Sequence, residues 1–329
     1  MRITPPDTTP ILFLGSSPFG LPTLERLYDA GRVVGVVTQP DRPAGRKRRL
    51  SPTPVGAWAG AHAPDLPIFK HENVNDPGAL AALRAIDAPS WVVIAFGQKL
   101  SAPLLDGRFA INLHASLLPR WRGAAPIHAA VIAGDARTGN CVITLAERMD
   151  AGLVLRRTAI DIAPRDTTAE VHSRLAELGA DDIHAVLDAH ATGTLTPETQ
   201  DESLVTRAKK LSRADCWVDF TASAFATSRR INGLSPSPGV ALTITTQEGD
   251  ANIKAIRSEP AERTTDNKPG VIIDTDQGLI DCADGALRLL DVQPPGKTPM
   301  PWHDFARSRH ITTGSTVRSD IPPPPSAST

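Results

Sequence analysis

The stretch from 109 to 126 constrains this chain's fold more than any other. Apolar and polar side chains alternate over 109–114, where the sequence reads Phe-Ala-Ile-Asn-Leu-His, and this alternation predicts a strand. Asn112 and His114 therefore share one face at the strand's carboxyl end, where open α/β sheets carry their sites. Pro119 and Gly123 then force a loop. The competing interpretation is a polar strand edge that runs into an ordinary loop.

Strand and helix patterns alternate on both sides of this stretch. Apolar runs typical of strands lie at 11–14, 33–38, 67–69, 91–96, 141–146 and 153–162, and helical patterns lie at 21–28, 55–61, 77–86, 127–133 and 168–190. Such alternation is typical of an α/β fold with a Rossmann-like, doubly wound and mostly parallel sheet.

The pattern of apolar and polar residues changes after the long helix predicted at 168–190. Residues 194–213 are polar without a sustained period. A short helical pattern at 222–231 and short strand patterns at 240–245, 253–256, 271–274, 279–282 and 286–292 follow. Short strands spaced by turns predict a small open β-barrel. We therefore expect a Rossmann-like catalytic domain at 1–195, a linker at 196–214, the barrel at 215–313 and a disordered tail at 314–329.

Length and charge narrow the class of protein. The chain has 329 residues, 41% of them hydrophobic and 22% charged, with a formal net charge of −1. A chain of that length fits two domains. Because its net charge is nearly zero, it can attract nucleic acid or membrane only through local charged patches. Three separate cysteines, Cys141, Cys216 and Cys282, indicate free thiols. Without an apolar run of membrane length or a signal-peptide core, we expect a cytoplasmic protein.

One motif favours a different enzyme class. Gly15-x-Ser17-x-x-Gly20 follows the first predicted strand, and Asp41 lies near the position of a ribose-binding acid. The pattern imitates a dinucleotide fingerprint and makes an NADP-dependent oxidoreductase the alternative enzyme. Ser17 stands at the second glycine position, where glycine lets the backbone approach the pyrophosphate, so the match is imperfect.

A basic loop is the second local feature. Five basic residues fall within eight positions: Arg42, Arg46, Lys47, Arg48 and Arg49. Most charge runs are solvated surface, but this one has no apolar face, and a polyanion such as RNA would supply the missing contacts. A pure RNA-binding module is therefore the non-enzymatic alternative, although it leaves Asn112 and His114 without a role.

Asp150 completes the set of candidate residues. It follows an apolar strand pattern and precedes Ala151 and Gly152, so by itself it reads as a turn residue. Together with Asn112 and His114 it becomes a candidate acid/base partner.

These motifs carry a resemblance to a known family. The run Thr-Gln-Pro-Asp-Arg-Pro-Ala-Gly-Arg at 38–46, the Asn-x-His-x-Ser-Leu-Leu-Pro-Arg-Trp-Arg-Gly run at 112–123 and the Met-Asp-x-Gly run at 149–152 resemble the methionyl-tRNA formyltransferases. The second run is shared by 10-formyltetrahydrofolate-dependent formyltransferases in general, including amino-sugar enzymes and hydrolases. The basic loop distinguishes the tRNA enzymes. The similarity extends from residue 11 to about residue 309.

The resemblance implies a reaction and its partners. Formyl would pass from 10-formyltetrahydrofolate to the α-amine of initiator methionyl-tRNA. Asn112 and a protonated His114 would donate hydrogen bonds to the oxyanion, and Asp150 would keep His114 charged and move the proton. Folate would lie against Phe96, Gly97, Gln98, Leu100, Ser116, Leu117, Leu118 and Pro119. The basic loop and the barrel would hold tRNA, and we expect a monomer without metal or membrane attachment.

Overall fold

The computed structural model describes residues 9–45, 48–246, 249–263 and 268–324. The strands are β1 Ile11–Gly15, β2 Val33–Thr38, β3 Arg42–Ala44, β4 Arg49–Ser51, β5 Ile68–Lys70, β6 Ser90–Ile94, β7 Phe109–His114, β8 Arg122–Gly123, β9 Arg137–Thr144, β10 Val154–Asp161, β11 Arg207–Ala208, β12 Val240–Thr246, β13 Gly249–Ala261, β14 Ile272–Asp274, β15 Leu279–Asp281, β16 Ala286–Gln293, β17 Met300–Pro301 and β18 Thr316–Ser319.

The helices are α1 Leu21–Asp29, α2 Pro54–His62, α3 Pro77–Arg84, α4 Ala102–Leu105, α5 Pro126–Ala133, α6 Thr168–Ala191, α7 Ala224–Leu234 and α8 Trp302–Ser308. Helices α2, α3 and α5 begin with proline, whose fixed φ and missing amide suit a first helical position. No helix among the described residues is both long and apolar enough to cross a membrane.

A seven-stranded sheet carries the residues predicted for catalysis. Its order is β10-β9-β7-β6-β1-β2-β5. The five strands from β7 to β5 are parallel, whereas β9 pairs antiparallel with β7. Strands β1 and β6 are buried throughout, as expected for a sheet covered on both faces. The predicted Rossmann-like, mostly parallel sheet is confirmed.

A second sheet curls upon itself in the C-terminal part. Its order is β14-β15-β16-β13-β12-β18, and β17 pairs with β16. A bridge between Val271 and Thr316 joins the two ends of this order. The core inside the curl includes Leu242, Leu287 and Phe305. The predicted open barrel is therefore present.

The prediction of a disordered tail from residue 314 is wrong for its first residues. Strand β18 pairs with β12, with Val317 opposite Ile244, and the Val317 side chain is buried. Four residues with a single apolar side chain between Gly314 and a proline run give little sequence signal. These residues form a strand because they pair with β12 at the edge of the barrel. Residues 325–329 lie outside the described part of the chain.

The basic loop also has more structure than predicted. Strands β3 and β4 form an antiparallel hairpin that pairs Arg42 with Ser51 and Ala44 with Arg49. Gly45 adopts the positive φ of 68° that the turn needs. Arg46 and Lys47 lie outside the described residues.

Two compact units divide the chain differently from the predicted contiguous domains. Unit 1 takes in residues up to 122, 139–160 and 172–206, and unit 2 takes in 123–138, 161–171 and the residues from 207 onward. Helix α5 belongs to unit 2 because it lies close to α7: a Cβ on Gly233 would be 2.4 Å from Ile132 Cγ1. Residues 196–206, predicted as part of the linker, belong to unit 1.

Strand β18 generates a prediction about stability. A chain that ends at Gly314 loses the β12 pairing and the burial of Val317, a side chain of a size worth about 1.5–3 kcal/mol when buried. We expect its midpoint of thermal unfolding to fall by about 4 °C or more. A chain that ends at Pro324 keeps β18 and is the control. Equal midpoints for both truncations would show that β18 does not stabilise the barrel.

Candidate active site

Strand β7 presents the two polar residues between two partner strands. Asn112 pairs with Val93 of β6 and with Ile143 of β9, and His114 pairs with Cys141. Their spacing of two residues places both side chains on one face. His114 is 5% exposed, and Asn112 is half-buried. An imidazole and an amide are thus held on a strand that backbone pairing fixes from both sides.

The imidazole of His114 contacts an oxygen at each ring nitrogen. Nε2 lies 3.0 Å from the Trp121 carbonyl oxygen, and Nδ1 lies 3.6 Å from Oδ1 of Asp150. A carbonyl only accepts, so Nε2 carries the hydrogen, and Nδ1 faces the carboxylate. The structure therefore brings Asp150 to His114, as the sequence predicted.

The protonation expected for His114 is not what the structure favours. Burial lowers the pKa of His114 from its ordinary value of 6.5, and the Asp150 carboxylate and the Trp121 carbonyl offset this only in part. The positive charge of Arg122 lowers the pKa further. Desolvation of the buried imidazolium therefore opposes the expectation that Asp150 keeps His114 charged at rest.

Asp150 sits in a turn with little freedom. Its φ is 55°, in the left-handed region that aspartate tolerates better than most residues. A Cβ on Gly152 would lie 1.7 Å from the Thr144 carbonyl oxygen, so glycine is required there. Leu153 donates its amide to the Thr144 hydroxyl at 2.9 Å. The turn is therefore packed directly against the end of β9.

The first segment predicted for folate follows β6, the strand next to Asn112. The Phe96 carbonyl accepts hydrogen bonds from Ser16 Oγ and Gln39 Nε2, each at 3.1 Å. Gly97 has a φ of 89°. The Gln98 amide donates to the His71 carbonyl and accepts from the Val74 amide, both at 2.9 Å. Phe96 and Leu100 belong to the core that includes β1 and β6, so this segment is a firmly held wall beside β7.

The second predicted folate segment turns back over the end of β7. Ser116 Oγ donates to the Arg120 carbonyl at 2.6 Å, and the Leu118 amide lies 3.3 Å from the sulfur of Cys141. Leu118 is buried and Leu117 half-buried, and the bond from Leu118 to Pro119 is cis. This loop brings the Trp121 carbonyl back to His114.

The predicted tRNA-binding cations are exposed where they are described. Arg48 and Arg49 are exposed on the hairpin, and Arg42 forms an ion pair with Glu72. Leu50, beside Arg49, is 72% exposed. Arg42 is thus engaged within the chain, whereas Arg48 and Arg49 face solvent.

The dinucleotide-like motif has a structural role. Ser17 Oγ accepts from the Phe19 amide at 3.1 Å and caps a one-turn 3₁₀ helix. A Cβ on Gly15 would lie 2.6 Å from Phe13 Cε1. Asp41 pairs with Lys70 at 2.6 Å. Gly15 and Ser17 therefore serve local packing and helix capping. Asp41, at the position of a ribose-binding acid, forms an ion pair with Lys70.

Sequence reasoning missed the contribution of residues 198–206. The Thr206 hydroxyl accepts from the Trp121 amide at 2.9 Å, and the Gln200 amide contacts the Asp150 turn at 2.8 Å. The segment lacks periodicity and has few apolar residues, so its composition indicated a linker. Its polar side chains are the only sequence signal, and they do not say what they bind.

The environment of His114 generates a prediction. In NMR titrations the imidazole of His114 should have a pKa below 6.5, and Asp150→Asn should lower it further because the attraction of the carboxylate for the imidazolium is removed. The spectrum of His114→Ala assigns the resonance. A pKa at or above 6.5, or an upward shift in Asp150→Asn, would contradict this electrostatic description.

Comparison with known proteins identifies the family. Residues 11–187 match the formyl transferase family and residues 210–310 match the formyl transferase C-terminal domain. The chain is 41% identical over 305 residues to methionyl-tRNA formyltransferase of Methylococcus capsulatus, covering 92% of this chain and 97% of that protein. It is 42% identical over 309 residues to the enzyme of the same name from Acidiphilium cryptum, covering 93% and 98%.

Solved structures show the same fold at low identity. HypX from Aquifex aeolicus, crystallised with tetrahydrofolic acid, superimposes with a TM-score of 0.63 at 14% identity over 93% of this chain and 48% of HypX. The sugar 3N-formyl transferase WlaRD gives 0.60 at 12% identity, over 89% of this chain and all of that chain. These structures show the fold, and the sequence relatives show that the chain belongs to the methionyl-tRNA formyltransferase family.

Proposed function

We propose that this chain transfers the formyl group of 10-formyltetrahydrofolate to the α-amine of initiator methionyl-tRNA. The observation that carries the proposal is the meeting of Asn112, His114 and Asp150 in unit 1, in a chain about 40% identical over its length to enzymes of that name. The product, formylmethionyl-tRNA, starts translation, so we place the reaction in the cytoplasm.

Asn112 is suited to stabilise the oxyanion. Attack of the amine on the formyl carbon forms a carbon–nitrogen bond and leaves negative charge on the formyl oxygen. An amide NH₂ on a strand held from both sides is a preorganised donor for that charge. Both nitrogens of His114 already face oxygen atoms. We therefore assign the oxyanion contact to Asn112.

His114 and Asp150 are suited to move the proton. The bond between the formyl carbon and the folate nitrogen breaks as the amine loses one proton and the departing nitrogen gains one. A neutral imidazole can take the proton from the amine at Nδ1, because Nε2–H is held by the Trp121 carbonyl, and can then give it to the departing folate nitrogen. The Asp150 carboxylate then stabilises the imidazolium. The lowered pKa of His114 keeps the base available at neutral pH.

The two loops beside β7 are suited to hold the folate. We infer that its ring system lies against the wall at 96–100 and the loop at 116–119, since both follow or flank the strand that carries Asn112. Gln98 and Ser116 direct their polar groups to the chain itself, so backbone groups would provide most of the contacts to the ring. The proton transfer proposed here needs no metal.

The basic hairpin is suited to hold the acceptor stem. Arg48 and Arg49 are exposed on the hairpin. Arg46 and Lys47 directly precede them in the sequence, so positive charge is clustered in one short stretch of a nearly neutral chain. We infer that the barrel adds further contacts to tRNA, and that the enzyme acts as a monomer.

The catalytic assignment predicts large losses of activity. Asn112→Ala, His114→Ala and Asp150→Ala should each lower kcat for formyl transfer to methionyl-tRNA by at least about a hundred-fold. The circular dichroism spectrum should stay unchanged. His303→Ala, at an exposed histidine of α8, is the matched control with normal turnover. Near-normal kcat in His114→Ala would refute the mechanism.

The hairpin predicts a change in salt dependence. Replacing Arg46, Lys47 and Arg48 by glutamine should weaken tRNA binding and flatten the plot of log affinity against log salt by roughly two units. Each neutralised phosphate contributes about 0.7–0.9 of slope. Arg26→Gln, whose arginine pairs with Asp181 of α6, is the control. Parallel lines with equal affinities would mean that the hairpin is only solvated surface.

A further inference from the structure

The side chain of Gln200 makes four hydrogen bonds inside unit 1. Gln200 is 5% exposed, although it lies in a segment without regular secondary structure. Its Nε2 donates to the carbonyls of Asp150 and Gly152, each at 2.8 Å. Its Oε1 accepts from Nε and Nη2 of Arg122 at 3.0 and 2.8 Å. Both amide hydrogens and both oxygen lone pairs are thereby used.

Arg122 fixes which way this amide points. A guanidinium can only donate, so the oxygen of Gln200 must face Arg122 and the nitrogen must face the Asp150 turn. Arg122 is itself 4% exposed and donates to Glu202 Oε1 at 2.9 Å, a hydrogen bond that lowers the pKa of the Glu202 carboxyl. Glu202 also pairs with Arg148 at 3.1 Å.

These contacts connect the backbone next to His114 with the turn that carries Asp150. The residue before Arg122 is Trp121, whose carbonyl accepts the hydrogen bond from His114 at 3.0 Å. A continuous series of hydrogen bonds and backbone bonds therefore links His114 through residues 121–122 to Gln200, and Gln200 to Asp150. Asp150 has a φ of 55°, a sparsely populated conformation that the surroundings must hold. The two bonds from Gln200 to the backbone of this turn are part of those surroundings, and they help to set where the Asp150 carboxylate stands.

From this geometry we propose that Gln200 is a positioning residue of the formyl transfer, holding Asp150 at the distance from His114 that proton movement requires. The inference deepens the proposed function and rests on it for its kinetic consequences. Gln200 does not touch the reacting groups, and it acts through Asp150.

The first test separates positioning from substrate binding. Gln200→Met removes all four bonds without adding charge, and Gln200→Glu keeps acceptance from Arg122 but loses both donors to the turn. Both variants should lower kcat by about ten- to a hundred-fold, as expected for a displaced catalytic group, with folate affinity unchanged. Thr192→Val, whose threonine hydroxyl donates to the Asp188 carbonyl at 2.9 Å just after α6 in unit 1, should keep the wild-type kcat. Normal kcat in both Gln200 variants would overturn the proposal.

A double-mutant cycle tests whether Gln200 acts through Asp150. In the Asp150→Asn background, Gln200→Met should change kcat by less than about threefold, because the group it positions has already been disabled. A merely structural role for Gln200 would lower kcat by the same factor in both backgrounds, and that result would overturn the proposal.

A second readout does not depend on the reaction. Gln200→Met should lower the NMR pKa of His114 towards the value in Asp150→Asn, because the displaced carboxylate no longer favours the imidazolium, while Arg122 still opposes it. An unchanged His114 pKa in folded Gln200→Met would overturn the positioning role. If wild-type protein instead formylates no methionyl-tRNA while the pKa falls as expected, the proposed function fails and the positioning of Asp150 stands.

Discussion

The contact between His114 and Asp150 is the interaction on which the site depends. The two groups come from different parts of the chain, one from a strand and one from a turn, and stand 3.6 Å apart. Burial disfavours the charged imidazole, and the carboxylate favours it. The lowered pKa favours the neutral imidazole, and the nearby carboxylate favours the form that has taken a proton. That behaviour suits a reaction in which an amine must lose a proton as it is acylated.

Much of the surrounding structure serves to keep this contact in place. Pairing on both edges holds β7 as far as Asn112, and His114 itself pairs with Cys141 of β9. The close approach of Gly152 to Thr144 fixes the base of the Asp150 turn. The Trp121 carbonyl orients the imidazole, and the Thr206 hydroxyl binds the Trp121 amide. The segment 198–206, whose composition resembles a linker, therefore helps to hold the site in place.

The sequence predicts the parallel sheet and the barrel, and it singles out Asn112, His114 and Asp150 as the candidate site, because these features leave local patterns. Alternation predicts that Asn112 and His114 share a face, and the family resemblance brings in Asp150. Three features escape such reasoning. Strand β18 gains its order only by pairing with β12. The basic hairpin forms by cross-strand pairing without an apolar face. Gln200 contributes through bonds to partners 48–78 residues distant in the chain. Long-range contacts made by polar side chains leave no periodicity to detect.

The most direct test of the account is a competition between acceptors under single-turnover conditions. Wild-type protein is mixed with isotopically labelled 10-formyltetrahydrofolate, initiator methionyl-tRNA, uncharged tRNA and an amino-sugar nucleotide, and the labelled acceptor is identified by mass spectrometry. We expect label on the α-amine of methionyl-tRNA alone, and no label there with His114→Ala. Label on the amino sugar, or release of free formate without any labelled acceptor, would contradict it.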